Sequence, residues 1–307
     1  MVGLSASALG QESYLKVDDA KETQNKVEGD LDTEITNAKI RADSGSKSKV
    51  SMSTSLNYRG GAVSHPFGTE RPNLSGLPEN QLDTSMDGSI RARYRSSKNE
   101  SYSIGVSLGM KTPFHGDVNA KENQVNVGDP LLGYNRTFAA LGLQHSWNLT
   151  ASLGTSDESQ NLDQTASAAI DYTLMKAFQN GLNIGITASA WHNFYDSGPG
   201  GNPSTRIDDG GQKQDSRTGW MMTALPTLEY YFNDTLSFRT LFGYFRWRHL
   251  YGDENNLRML RLKEYQSVGI GIVVSRDIYL YPNVQFLPRE VRSDYTNFGV
   301  SAAVNVF

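Results

Sequence analysis

Apolar and polar residues alternate with a period of two along most of the chain from Val50 onward. In the stretch VSMSTSLNYR, the residues Val50, Met52, Leu56 and Tyr58 share one face with a threonine, and Ser, Asn and Arg residues share the other. Successive side chains of a β-strand point to opposite faces, so this spacing predicts strands with one apolar and one polar face. Twelve stretches show the pattern and are predicted as strands: 50–59, 89–95, 101–111, 130–139, 143–154, 165–176, 181–194, 217–232, 236–249, 257–274, 278–287 and 295–307.

The connections between these strands are alternately long and short. The long ones are 60–87, 112–129, 155–164, 195–216, 250–256 and 288–294, and the short ones include 96–100, 140–142, 176–181, 232–235 and 275–277. An even strand count, with short turns at one end and longer loops at the other, is typical of outer-membrane barrels. We therefore predict an all-β fold: a closed antiparallel transmembrane β-barrel of about twelve strands over residues 49–307. The termini and short turns are expected in the periplasm.

Aromatic residues of the apolar phase collect where the predicted strands meet the short turns. They are Tyr94, Tyr102, Tyr172, Tyr230, Phe232 and Phe238. Such a girdle marks a membrane–water interface in barrels that cross a bilayer. The opposite phase is rich in Ser, Gly, Thr and Asn, which suits a hydrated interior.

The amphipathic strands and the final stretch NFGVSAAVNVF resemble Gram-negative outer-membrane β-barrels, whose last residue is commonly Phe. The resemblance covers about residues 48–307 and is one of pattern. It departs from the family at Phe307, which is out of phase with Phe298 and Val306. The resemblance implies a place in the bacterial outer membrane. It also implies outer-membrane lipids, lipopolysaccharide and the barrel-assembly machinery as partners.

The segment before the barrel has a different composition. Residues 1–10, MVGLSASALG, resemble the end of a secretory signal peptide, and residues 11–48 are polar and charged. A loose heptad predicts a helix from Val17 to Ile40, followed by a flexible linker from Ala42 to Lys49. A solvated, partly disordered tail, a short coiled coil and a plug for the barrel remain open alternatives.

Composition changes this picture little. The chain has 307 residues, a formal net charge of −4 and a mean hydropathy of −0.50. The absence of cysteine excludes disulfides, thiol nucleophiles and thiolate metal sites. A soluble β-sandwich also alternates, with its polar face in water, and is the main alternative fold. The strand count, the loop asymmetry and the aromatic girdle favour the barrel.

The stretch SIRARYR places Arg91, Arg93 and Arg95 on one face of the second predicted strand. An arginine that faces lipid near the midplane costs about 2–4 kcal/mol, so these residues are predicted to face the lumen. The same phase assigns five further cations to the lumen: Arg59, Lys111, Arg239, Arg261 and Lys263. Only Asp171 and Glu229 oppose them, although the whole chain is acidic.

A cationic wall in a narrow channel favours anions, and arginine binds carboxylate and phosphate bidentately. The sequence therefore predicts a porin-like channel for small hydrophilic solutes, leaning to anions. Several twelve-stranded porins for acidic sugars are similar in having arginine-lined interiors. The alternative is a structural or plugged barrel that acts through its extracellular loops.

Enzymatic readings are weaker, and we predict no catalytic activity, no cofactor and no metal. His145 and Ser146 are adjacent on a strand, so they point to opposite faces and cannot act together as base and nucleophile. Polar residues of the predicted outer rim resemble those of outer-membrane proteases only by type: His65, His115, Asp117, Asp208, Asp209 and His249. Asp196, Asp208 and Asp209 are interpreted as a solvated acidic loop rather than as a calcium site. Nucleic acid is not an expected partner.

Overall fold

The computed structural model describes residues 31–74, 81–115, 125–198, 206–209, 212–215, 217–252 and 259–306. Its core is a barrel of twelve strands. They are β1 (Val50–Ala62), β2 (Ser85–Arg95), β3 (Glu100–Lys111), β4 (Asn126–Ala140), β5 (Leu143–Leu153), β6 (Gln164–Ala177), β7 (Leu182–Tyr195), β8 (Thr218–Tyr231), β9 (Leu236–Gly243 and Phe245–Leu250), β10 (Tyr265–Ser275), β11 (Ile278–Phe286) and β12 (Asn297–Val306).

Each strand pairs antiparallel with its neighbours in sequence, and the sheet closes between β1 and β12. Met52 of β1 lies opposite Ala92 of β2 on one side and Val306 of β12 on the other. Closure leaves no barrel strand as a free edge. The predicted closed antiparallel barrel is confirmed, and every predicted strand overlaps an observed one.

The two ends of the barrel differ, as the connections predict. We call the end with the short connections 96–99, 141–142, 178–181, 232–235 and 276–277 the turn end, and the opposite end the loop end. The two-residue turn between β4 and β5 uses Leu141 (φ 54°) and Gly142 (φ 69°), a pair of positive angles that suits the twist of a two-residue hairpin. Two hairpins lie in the long loops: Glu70–Pro72 with Gln81–Asp83, and Arg206–Asp209 with Gln212–Asp215.

The strands turn their apolar side outward. Large apolar side chains remain exposed at alternate positions, for example Ile104 (60%), Leu132 (58%) and Ile184 (46%). Small polar residues between them are enclosed, as Ser101 (3%) and Thr137 (0%) show. A soluble sandwich would bury the apolar face instead, so this distribution excludes that alternative.

Helices are few and short. A 3-10 turn at Leu31–Thr33 and helix α1 (Ala38–Asp43) precede the barrel, and helix α2 (Asp157–Asn161) lies in the loop after β5. Among the described residues, no helix combines the length and the apolar character needed to cross a membrane.

Strand β9 is interrupted at Tyr244, and this changes which side chains face inward. Before the break, Phe238 lies on the outer face opposite Tyr230 and Ile270. After it, Phe245 and Trp247 lie on the outer face, opposite Ala224 and Met222. The outward phase thus moves from even to odd residue numbers within one strand.

Candidate functional site

Residues 31–48, which we call the N-terminal segment, lie inside the barrel at its turn end. Leu31, Ile35 and Ile40 are buried at 0–3% exposure and pack with Met175 of β6. Ala38 and Ala42 pack on the other side against tyrosines of β11. The segment therefore contacts opposite parts of the wall, and it fills the lumen where the short turns are.

Side chains from several strands hold the backbone of this segment. Gln144 Oε1 of β5 accepts hydrogen bonds from the backbone N–H groups of Thr36 (3.1 Å) and Asn37 (3.0 Å). The Tyr231 hydroxyl of β8 accepts from Ala38 N at 3.1 Å. Asn305 Nδ2 of β12 donates to Ala42 O at 2.8 Å. Buried backbone N–H and C=O groups need hydrogen-bond partners, and the side chains of the barrel wall supply them for the N-terminal segment.

Two of the three arginines in SIRARYR bind this segment. Arg95 Nη2 donates to Ser44 O (2.8 Å) and Gly45 O (3.1 Å), and its Nε donates to Ser46 O (2.9 Å). Arg93 Nη1 donates to Asp43 O at 3.1 Å. These carbonyls belong to the last residue of helix α1 and to the residues just after it, where backbone acceptors lack helical partners. Arg93 and Arg95 face the N-terminal segment, and their donors contact protein backbone.

The predicted flexible linker from Ala42 to Lys49 is corrected by these bonds. Ser44 and Ser46 are buried, at 1% and 5% exposure, and Gly45 adopts a φ of +87° beneath Arg93. A serine- and glycine-rich stretch indicates a turn, but its partners are distant in sequence. The predicted helix also differs: α1 begins only at Ala38, and residues 17–30 lie outside the described part of the chain.

A buried ionic network connects the segment to the wall. Glu229 of β8 is fully buried, and its carboxylate accepts hydrogen bonds from Asn37 Nδ2 (2.8 Å), Ser237 Oγ (2.8 Å) and the Tyr279 hydroxyl (3.0 Å). Arg239 Nη1 lies 3.6 Å from the same carboxylate. The charge of Arg239, which the sequence assigns to the lumen, is therefore neutralised within the wall.

Arg91 differs from the other two arginines of its strand. Among the described residues its one hydrogen bond runs from Nε to Ser89 Oγ at 3.2 Å. It lines a cavity of about 420 Å³ above the N-terminal segment, together with Asp171 and a wall of small polar residues. The terminal nitrogens of Arg91 thus have no hydrogen-bond partner among the described residues.

A second cavity of about 380 Å³ adjoins the first. Both cavities are lined by Lys39, Asp43 and Arg239. Lys39 and Asp43 form an ion pair with each other. Three tyrosines of β10 and β11 give this second cavity an aromatic wall: Tyr265, Tyr279 and Tyr281. The lumen therefore has a polar, arginine-bearing side and an aromatic side.

The remaining predicted lumen cations lie at the loop end. Arg59 Nε pairs with Asp87 Oδ1 at 3.0 Å, and Lys111 Nζ lies 3.7 Å from Asp83 Oδ2. Both pairs are largely exposed. Asp87 precedes the stretch SIRARYR within β2, and Asp83 lies in the loop before β2. These two carboxylates partly balance the predicted excess of lumen cations at the loop end.

Arg261 and Lys263 do not face the lumen, which corrects their predicted placement. Arg261 lies opposite Trp247, on the outer face, and pairs with Glu264 at 2.6 Å. Lys263 is exposed and lines a surface depression with Arg289. Continuous alternation through 257–274 assigned both residues inward, but an irregular stretch separates Leu260–Arg261 from β10 and reverses the phase.

The interruption at Tyr244 also conceals two lumen cations. Arg246 and Arg248 alternate with the outward Phe245 and Trp247, so they face inward near the loop end. The Arg246 guanidinium lies 4.9 Å from the ring centroid of Tyr265, an inward residue of β10. The arginine–aromatic pattern FRWR was the available signal, because unbroken alternation would place both arginines against lipid.

The six girdle aromatics lie on the outer face. Tyr94, Tyr102, Tyr230 and Phe232 are exposed at 42–61%, while Tyr172 and Phe238 are partly covered by their neighbours. A second outer cluster lies towards the loop end and was not predicted: Phe194, Trp220, Phe245 and Trp247. The function of the first set as a membrane-interface girdle stays a prediction.

His145 and Ser146, the adjacent pair considered for catalysis, do not come together. His145 stacks on Phe138 and contacts the Tyr172 hydroxyl at 2.7 Å on the outer face, while Ser146 bonds to Thr137 within the wall. Asp117 lies outside the described residues, and no metal-binding group of three or more His, Cys, Asp or Glu side chains occurs among those described.

Twelve closed strands, an apolar outer face and an enclosed polar interior define this chain as an outer-membrane β-barrel protein. The family described as "Putative MetA-pathway of phenol degradation" matches residues 18–240. The chain belongs to that family. No curated protein matches its sequence.

Solved structures are similar to this chain at low sequence identity. An outer membrane channel from Pseudomonas putida F1 is 10% identical with a TM-score of 0.50, over 86% of this chain and 97% of that one. The NanC porin is 11% identical with a TM-score of 0.42, over 83% and 98% of the two chains. A mutant of TodX, a monoaromatic hydrocarbon channel, is 11% identical with a TM-score of 0.37, over 83% and 89%. At 10% identity, the similarity to the channel from Pseudomonas putida F1 is a similarity of fold.

Proposed function

We propose that this protein is an outer-membrane channel for small solutes, that the N-terminal segment narrows its lumen, and that Arg91 gives it a preference for anions. The observation that carries the proposal is the pair of polar cavities inside a closed barrel, with Arg91 donors directed at the first. The fold shared with an outer membrane channel is consistent with it.

The proposed orientation places the turn end and both termini in the periplasm and the loop end outside the cell. Long loops face outward in bacterial barrels of this kind. The outer aromatic residues would then contact outer-membrane lipids and lipopolysaccharide at the two interfaces. The barrel-assembly machinery is the expected partner for insertion.

Single substitutions on β2 separate selectivity from occlusion. In Arg91→Ser the chloride preference is expected to fall while the unitary conductance changes little, because the N-terminal segment keeps its bonds. In Arg95→Ser the conductance is expected to rise, because four hydrogen bonds from its guanidinium to backbone carbonyls are lost. Planar-bilayer recordings under a potassium chloride gradient measure both quantities. Unchanged selectivity in Arg91→Ser would remove Arg91 from the mechanism.

A second candidate solute class is the small hydroxylated aromatics. The tyrosine wall of the second cavity favours it, since aromatic rings stack on such surfaces, and so does the family's description. Block of the channel current by phenol, and much weaker block by cyclohexanol, is the expected sign. Equal block by both would exclude aromatic recognition.

A further inference from the structure

Arg91, Arg93 and Asp171 are the charged side chains of the first cavity that form no ion pair with a described residue. Arg93 donates to Asp43 O of the N-terminal segment. Arg91 and Asp171 do not form a salt bridge with each other, although both line the cavity. Asp171 accepts one long hydrogen bond, from Asn148 Nδ2 at 3.4 Å. By contrast Lys39 pairs with Asp43, and Arg239 lies beside Glu229. Arg91 is therefore the cation whose terminal nitrogens have no hydrogen-bond partner among the described residues, and Asp171 is the carboxylate without an ion pair.

Two glycines determine where the Arg91 guanidinium lies. A Cβ atom on Gly105 of β3 would lie 2.8 Å from Arg91 Cγ, and one on Gly133 of β4 would lie 3.1 Å from Arg91 Nη1. The side chain thus runs along the wall across both strands, a close approach that glycine permits. It extends towards the row that contains Asn148 and Asp171.

The rest of the cavity is partly apolar. Ile40 of the N-terminal segment, Met175 of β6 and Leu225 of β8 line it beside the polar residues. Buried ligand sites commonly combine an apolar body with a few polar anchors. A compact ring or chain with a polar group at each end matches this arrangement.

We propose that this cavity binds small aromatic acids that carry a hydroxyl group opposite the carboxylate. The carboxylate accepts hydrogen bonds from the Arg91 terminal nitrogens, and the hydroxyl donates to the Asp171 carboxylate. The ring lies against the apolar residues. This proposal rests on the proposed channel function only for the route by which the acid reaches the cavity. Binding itself does not require the acid to cross the membrane.

Calorimetric titration of the folded protein in detergent tests the site with 4-hydroxybenzoate and benzoate. The native chain is expected to bind 4-hydroxybenzoate more tightly. Arg91→Gln is expected to weaken both acids by about tenfold or more, because a charge-assisted hydrogen-bond pair is lost. Asp171→Ala is expected to weaken 4-hydroxybenzoate and to leave benzoate binding equal or tighter, because a repulsive charge is removed.

Arg136→Gln is the matched control, since Arg136 is exposed and pairs with Glu100 away from the cavity. It is expected to bind both acids as the native chain does. Equal native affinity for the two acids, or a parallel loss of both in Asp171→Ala, would overturn the proposal. Conductance without measurable binding would contradict the proposed binding site but not the proposed channel. Binding that depends on Arg91, in a protein without conductance, would contradict the channel but not the binding site.

Discussion

A chain that lacks residues 1–48 is expected to carry several times the unitary conductance of the native chain. The bore of a barrel is set by its strands, and residues 31–48 occupy that bore at the turn end. Their removal leaves the wall groups Gln144, Glu229 and Arg95 facing water. Single-channel recording in a planar bilayer measures the effect.

The control for this deletion is a chain that begins at Leu31 and so keeps the N-terminal segment. It is expected to retain the native conductance. Heat-modifiable migration on a gel establishes that both shortened chains are folded barrels. Native conductance in the longer deletion would contradict the assignment of residues 31–48 as the constriction.

Arg239→Met is expected to destabilise the barrel by about 3–5 kcal/mol, the cost of leaving a buried charge without its partner. Glu229 is fully buried, and Arg239 is the cation beside its carboxylate, 3.6 Å away. Denaturant unfolding of the protein in detergent measures the change. The double variant Arg239→Met with Glu229→Gln is expected to regain most of the loss, because the orphaned charge is removed.

Arg59→Met is the matched control for this pair. Arg59 and Asp87 also form an ion pair, at 3.0 Å, but both side chains are well exposed. Exposed pairs contribute about 1 kcal/mol or less, so this variant is expected to remain near native stability. Equal losses in Arg59→Met and Arg239→Met would show that burial does not determine the effect.

The strands were predictable from sequence because each residue of a closed barrel faces either lipid or lumen. That constraint gives every strand the same period, and it identified all twelve. The alternation of short turns and long loops followed from the same pattern. Arg91, Arg93 and Arg95 were predicted to face inward because an outward arginine is costly.

The two-residue alternation could not reveal the places where it is interrupted. The break at Tyr244 hid Arg246 and Arg248, and the irregular stretch before β10 misplaced Arg261. The partners of lumen charges were equally hidden, because Glu229, Asn37 and Arg239 are separated by up to 202 positions in the chain. The position of the N-terminal segment depends on such long-range bonds, and its composition alone left a tail, a coiled coil and a plug open.

The most direct test of the channel proposal is the reversal potential of the native protein in a planar bilayer under a potassium chloride gradient. We expect discrete open steps and a reversal potential displaced towards the chloride equilibrium value. A displacement towards the potassium value would contradict the anion preference. An absence of steps, from protein shown to be folded and inserted, would contradict the channel itself and point to a barrel that acts through its loops.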